Sequence, residues 1–244
     1  MRAMLAIYQR ELLILWKRFF RQLASMSVSP LLYLIAFGLG MGRDVRIGEH
    51  SYLEFLIPGL VAMSSMVQAF AIASEINIAR FYWHIFEEFQ AAPIRNIAYV
   101  TGEVLAGITR ALFSTLIILC IAFLSGVTLS YGPYFWLAVA LNSFVFASLA
   151  VGLAMLVKSH SDQALLSNFF ITPMAFLGGT FFPVDRMPDW AQTILHFLPL
   201  THASRAIRAA AFGEPPDLFS YLLLAGLGGV LFVLAFHWVN RARE

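Results

Sequence analysis

Charge is scarce in this chain. Only 12% of its 244 residues are Asp, Glu, Lys or Arg, against about 25% in an ordinary soluble domain. Sixty per cent are hydrophobic, 23 are Phe, and the mean hydropathy is +0.76, a balance that belongs in lipid rather than in water. The net charge of +2 is small and dispersed, which argues against nucleic acid as a partner. Cysteine is nearly absent: Cys120 stands alone, so an intrachain disulfide and a Cys-only metal site are both excluded. The N-terminus lacks the uninterrupted apolar core of a secretory signal, because Arg2, Arg10, Glu11, Lys17 and Arg18 break it up; it is expected to remain in the mature chain.

Catalytic motifs are missing too. There is no HExxH, no GxSxG and no GxxxxGK[ST], so an intramembrane hydrolase has no nucleophile and base to work with. His196 and His202 straddle Pro199 at a spacing that suits no common metal geometry, and read as polar residues of a loop. The GLGMG run at residues 38–42 has no strand before it and reads as a helix end. No internal repeat of useful length is visible, which removes support for an inverted-repeat carrier.

What is present is a series of apolar runs long enough to cross a bilayer, which takes about 20 residues. The fold class expected is all-α and integral to a membrane, one domain over residues 1–244 with six transmembrane helices at 23–41, 52–78, 97–124, 134–157, 164–181 and 218–239. Pro58-Gly59 is a place for the second span to bend or break, and GVTLSYGP at 126–133 supplies the turn between the third and fourth. Ahead of them, residues 1–22 form an interfacial amphipathic helix. Arg10, Lys17 and Arg21 share one side, for lipid headgroups, and Leu5, Tyr8, Leu12, Trp16 and Phe19 share the other. Residues 182–213 are expected to hold short outer-leaflet helices between spans five and six. Lys and Arg are ten on the side of the termini and five on the other, which puts both termini in the cytoplasm.

Intramembrane charge is expensive and is by default functional. Glu75, Glu103 and Arg110 are the candidates. Glu103 and Arg110 lie seven residues apart, about 10 Å along one helix face, too far to pair directly; Arg110 must meet a partner, a carbonyl or water inside the bundle. Glu75 and Glu103 fall near the cytoplasmic end. These three residues also support an alternative reading, a stand-alone channel or ion-coupled secondary carrier.

The segment RFYWHIFEEFQAAPIRN at 80–95 and beyond interrupts the grease. On a helical wheel Phe81, Tyr82, Ile85, Phe86 and Phe89 take one side, Glu87 and Glu88 the other, and Pro93 ends the turn. A helix lying on lipid favours a basic polar face; this one offers adjacent acids to the cytosol, which points to a protein partner.

HIFEEFQAAPI, with Ile85 to Phe89 followed by Ala92-Pro93, and LGGTFFPVDRMPDW…LPLTHASRAIR, with Gly178, Gly179, Phe182, Pro183, Met187, Pro188, Trp190, Pro199, Leu200 and Thr201, follow the N-terminal helix and spans in a distinctive order. Together they resemble the ABC-2 type permeases, the membrane subunits of ATP-binding-cassette exporters, over nearly the whole chain. The subgroup they look most like is that of bacterial inner-membrane transport permeases and nodulation-factor exporters. His84 and Ile85 replace the more usual Gly and Thr, and Leu198-Pro199 the more usual Asn-Pro. The resemblance implies a non-catalytic subunit of the inner membrane that forms its pathway with a second copy of itself. Two separate cassette ATPases would hold ATP and Mg, so no cofactor is expected on this chain. It also implies that 80–95 is a coupling helix, with Arg80, Phe86, Glu87, Glu88, Phe89 and Pro93 transmitting the motion. A pathway lined by the first, second and fifth spans would have Met63, Met66, Gln68, Phe70, Asn168, Phe169 and Thr172 as candidates.

Overall fold

The computed structural model describes residues 2–40, 45–83, 85, 88 and 94–242. Eleven α-helices can be numbered in chain order among them: α1 Arg2–Lys17, α2 Phe19–Tyr33, α3 Tyr52–Phe70, α4 Ile72–Phe81, α5 Asn96–Leu124, α6 Pro133–Leu156, α7 His160–Leu166, α8 Thr172–Leu177, α9 Asp189–His196, α10 Pro199–Phe212 and α11 Leu218–Arg241. A two-residue antiparallel hairpin, β1 Arg46–Ile47 and β2 His50–Ser51, is the single departure from all-helical structure among the described residues. Five helical stretches are long and apolar enough to cross a membrane: Phe19–Gly38, Tyr52–Phe81, Asn96–Leu124, Pro133–Leu156 and Leu218–Arg241.

Four of these match the expected spans to within a few residues. The first starts at Phe19 rather than at residue 23, because the chain breaks at Arg18 and α2 begins at once. The expected fifth span, 164–181, is not among the five. In its place helix runs over 160–177 and opens on the polar HSDQ, with Ser159 accepting from the Asp162 amide at 3.2 Å as its cap. A π-helical stretch, Ser167–Ile171, divides α7 from α8. A similar stretch, Leu34–Leu39, closes α2.

The second span does not break where proline suggested. Its N-terminus is fixed by a capping box, with Ser51 Oγ accepting from the Glu54 amide at 3.3 Å and Glu54 accepting from the Ser51 amide at 2.6 Å. The helix then runs through Pro58 and Gly59, and the interruption falls at Ala71, between α3 and α4. Packing explains Gly59: a Cβ there would lie 2.3 Å from the carbonyl oxygen of Thr180. The chain leaving α8 therefore rests directly on the backbone of α3.

The core is built from α3, α5 and α6, with α11 laid along α6 in the most extensive helix contact of the described structure. Helix α10 departs from the expectation for residues 182–213. It is wedged against α3 and α6, with Leu200, Ala203, Ala206, Ile207 and Ala211 buried. Its alanines allow close approach, as small residues do between membrane helices. Helix α9 keeps the surface position, with Trp190, Ile194 and Phe197 exposed.

The N-terminal helix also differs from its wheel. Helix α1 docks on α5, burying Ile7, and Gly102 of α5 is the contact point: a Cβ there would meet Ile7 Cγ2 at 2.9 Å and the Met4 carbonyl at 3.2 Å. Tyr8 Oη hydrogen-bonds Thr109 Oγ1 at 2.9 Å. Arg10 is consequently turned toward the bundle instead of toward headgroups, while Lys17 and Arg21 remain exposed.

Candidate functional site

Three features of the bundle bear on function: its interior charges, a groove along its side, and the attachment of the 80–95 segment.

The interior charges form two pairs, each between elements. Arg110 of α5 donates through Nη1 to Glu75 of α4 at 3.3 Å, with the side chains 10% and 16% exposed. The seven-residue spacing to Glu103 did place that acid out of reach; the partner comes from the preceding helix, across the interface. Glu103 is fully buried and accepts from Arg10 Nη2 of α1 at 3.3 Å. Arg10 also binds Glu11, Nε to Oε1 at 3.0 Å and again through Nη2. Burial alone would lower the Arg10 pKa, but the carboxylates of Glu103 and Glu11 outweigh it and raise the value. The guanidinium is therefore a fixed cation that clamps the interfacial helix to the third span. Breaking such a buried pair from one side costs about 3–5 kcal/mol, because the other charge is left uncompensated.

Polar contacts continue through the bundle. Ser64 and Ser114 join α3 to α5 at 2.6 Å. Asn142 of α6 donates to the Ala62 carbonyl at 3.0 Å and to Ser65 Oγ at 2.8 Å. Asn77 Nδ2 reaches Gln163 Oε1 at 3.1 Å, tying α4 to α7. None of these uncharged partners was identified from sequence. A buried amide in an apolar run is a sign of such a contact, since in lipid its alternative is no partner at all.

The groove has a cavity volume of about 320 Å³ and lies between α2, α3 and the helical run 160–177. Met63, Gln68, Phe70 and Thr172, four of the residues named as pathway candidates, line it. Ser25, Ser29, Ser74 and Ser167 line it too and add hydroxyls to an otherwise apolar wall. Met66 is instead fully buried in the core, and Asn168 and Phe169 are exposed away from the groove lining.

Arg80 ends α4 and donates through Nη1 to the carbonyls of Ala154 at 3.0 Å and Met155 at 3.1 Å. These are last-turn acceptors of α6 that no helical amide can reach, and a cation is favoured there by the helix dipole. Beyond it, Asn96 at the start of α5 donates to Asn240 near the end of α11 at 2.5 Å. Glu88 is exposed. Phe86, Glu87, Phe89 and Pro93 lie outside the described residues, so the helix expected there is not described.

Five long apolar helices packed through interior ion pairs describe a multi-pass helical membrane protein. The sequence model of the ABC-2 type transporter family matches residues 2–212, and the chain belongs to that family, as a membrane permease component of a transport system. Its relatives include the inner membrane transport permease YadH of Escherichia coli (strain K12), 28% identical over 251 residues that cover 97% of this chain and 92% of the relative. Nodulation protein J of Rhizobium leguminosarum bv. trifolii is 32% identical, covering 86% of this chain and 82% of the relative. Nodulation protein J of Neorhizobium galegae is also 32% identical, over 89% and 84%.

Proposed function

We propose that the chain is the permease subunit of an ABC exporter of the bacterial inner membrane, paired with a second copy of itself and driven by two separate cassette ATPases that hold ATP and Mg. On this reading the chain is non-catalytic, both termini are cytoplasmic, and the run 160–177 is a sixth crossing. The run's contacts support the crossing: Gln163 meets Asn77 near the end of α4, and Thr180 meets Gly59 near the start of α3.

The observation that carries the proposal is the anchoring of Arg80. Its grip on the Ala154 and Met155 carbonyls fixes the root of the 80–95 segment at the end of the bundle where α5 begins and α11 finishes. A push on the acidic helix, through Phe86, Glu87, Glu88, Phe89 and Pro93, would pass into α4 and α6. The groove beside α3 would then be the part of the pathway this subunit contributes. The carrier reading fares worse, because Glu75 and Glu103 are engaged by two different arginines and each pair fastens helices together.

Co-purification tests the proposal. The permease is expected to retain a cassette ATPase and to stimulate its turnover, and replacing Glu87 and Glu88 by Lys is expected to lower that stimulation while the protein still inserts. Unchanged stimulation would overturn the coupling role, and substrate transport by a preparation free of ATPase would overturn the exporter reading.

A further inference from the structure

A second cavity, of about 470 Å³, lies at the end of the bundle away from both termini, between the β1–β2 hairpin, the start of α3, the 183–185 stretch and α10. One wall is cationic and rich in donors. Thr201, Ser204, Arg205 and Arg208 stand at i, i+3, i+4 and i+7 of α10, one face of the helix. Arg208 lies over the Phe55 ring at 3.8 Å from its centroid and donates to the Gly179 carbonyl at 2.8 Å and the Phe55 carbonyl at 3.4 Å. Its Nη1 has no hydrogen-bond partner among the described residues. Burial lowers the Arg208 pKa to about 10, which leaves it a cation at neutral pH. Thr201 is 2% exposed, and its hydroxyl has no partner among the described residues. A buried polar group left unsatisfied in a folded protein calls for a ligand or a water.

The lining carries acids as well. Glu49 comes from the hairpin turn, Asp185 from the 3₁₀ turn Val184–Arg186, and Glu214 from just beyond α10. Among the described residues no ion pair joins any of these three carboxylates to Arg205 or Arg208. The cavity thus carries both signs of charge with no ion pair closing them off, and Asp185 lies near enough to Arg208 to favour its charged form. A simple anion entering it would face the carboxylates, and a simple cation would face the guanidinium groups. A ligand that carries both charges answers both. The aromatic faces narrow the cation further. A quaternary ammonium is held by open ring faces, and one face of Phe55 is taken by Arg208 and one face of Phe212 by His50, stacked at 3.7 Å. The carboxylates require N–H donors, which a primary ammonium supplies.

We infer that this cavity binds a zwitterionic phosphoethanolamine group, its phosphate toward Thr201, Arg205 and Arg208 and its ammonium toward Glu49, Asp185 and Glu214. The group is found on a phospholipid headgroup and on small soluble phosphoamines. The inference does not depend on the exporter reading, and its test reads binding alone. The full chain is purified in detergent and titrated, by native mass spectrometry, with phosphatidylethanolamine, phosphatidylcholine and phosphatidylglycerol. The ethanolamine lipid is expected to be retained over the other two. Thr201→Val is expected to weaken it about tenfold, the equivalent of one charge-assisted hydrogen bond. Glu49→Gln with Asp185→Asn is expected to move the preference toward phosphatidylglycerol. Displacement by O-phosphoethanolamine would support the headgroup as the whole ligand; selective retention without displacement would support the lipid as its source. Because the Thr201 hydroxyl has no partner among the described residues, Thr201→Val should melt no lower than the parent without lipid, which separates lost binding from lost folding. Equal retention of the three lipids, or an ethanolamine preference that survives both variants, would overturn the inference.

Discussion

The Arg110–Glu75 pair allows a quantitative test. At 3.3 Å and an effective dielectric of about 20, the gross attraction of two unit charges is about 5 kcal/mol. Single contact geometry and slight exposure reduce what a measurement recovers, so a coupling energy of about 3 kcal/mol is expected, within the range seen when a buried pair is broken. The perturbations are Glu75→Gln, Arg110→Met and the two together, followed by reversible unfolding in mixed SDS and detergent micelles. Each single variant leaves an ionised or strongly polar group facing an apolar interface and should lose about 3 kcal/mol or more. The double variant should lose about the same as one single, because two neutral side chains of similar volume pack where two ions stood. Additive losses, with a coupling below about 0.5 kcal/mol, would refute the claim that this contact holds α4 to α5.

Two further outcomes follow from local geometry. Gly59→Ala should destabilise by about 1–3 kcal/mol, since the added methyl meets a backbone carbonyl that cannot move aside, whereas Gly226→Ala, with nothing within 4 Å, should be neutral or stabilising by up to about 1 kcal/mol; thermal melts of both in the same detergent check the contrast. Asp217, at the start of α11, accepts from Ser220 Oγ at 2.6 Å, and that hydrogen bond holds its pKa below the usual carboxylate range. A lowered folded pKa contributes stability above about pH 4 that is lost as pH falls through the folded value, so Asp217→Asn should flatten the decline in melting temperature below about pH 4 and leave a curve of parent shape above it.

Apolar length made most spans legible in the sequence, and Gly132 before Pro133 marked the fourth closely. The partner of Arg110 was not legible because periodicity relates residues within one helix, and Glu75 belongs to another. Arg10 was misjudged for a related reason. A wheel shows that a helix has two faces but not which one meets protein, and the Gly102 notch that draws α1 inward sits far away in sequence. A helix within 182–213 was expected, but its seat against α3 and α6 was not, because the alanines that allow close approach are distinguished by small size rather than by any local pattern. The fifth span was expected at 164–181, and the start of the run at residue 160 was missed because HSDQ is polar: Gln163 is buried, but only its contact with Asn77 explains why. Of the residues named on α3, Met63 and Gln68 line the groove, and their span was identifiable from its apolar length. Met66, three residues along, fell into the core, since the direction each face points depends on neighbours absent from the local pattern.

Arg80 makes the ends of α4 and α6 move as one. Because α6 also carries α11 along its length, and α3 and α5 share its other sides, a load applied at Arg80 enters a single stiff block of most of the chain. Helix α2 packs on the α5 side of that block and the run 160–177 on its α4 and α3 side, and a π-helical stretch closes the first and interrupts the second. The groove is therefore the seam along which α3 meets the two elements whose helical winding changes part-way.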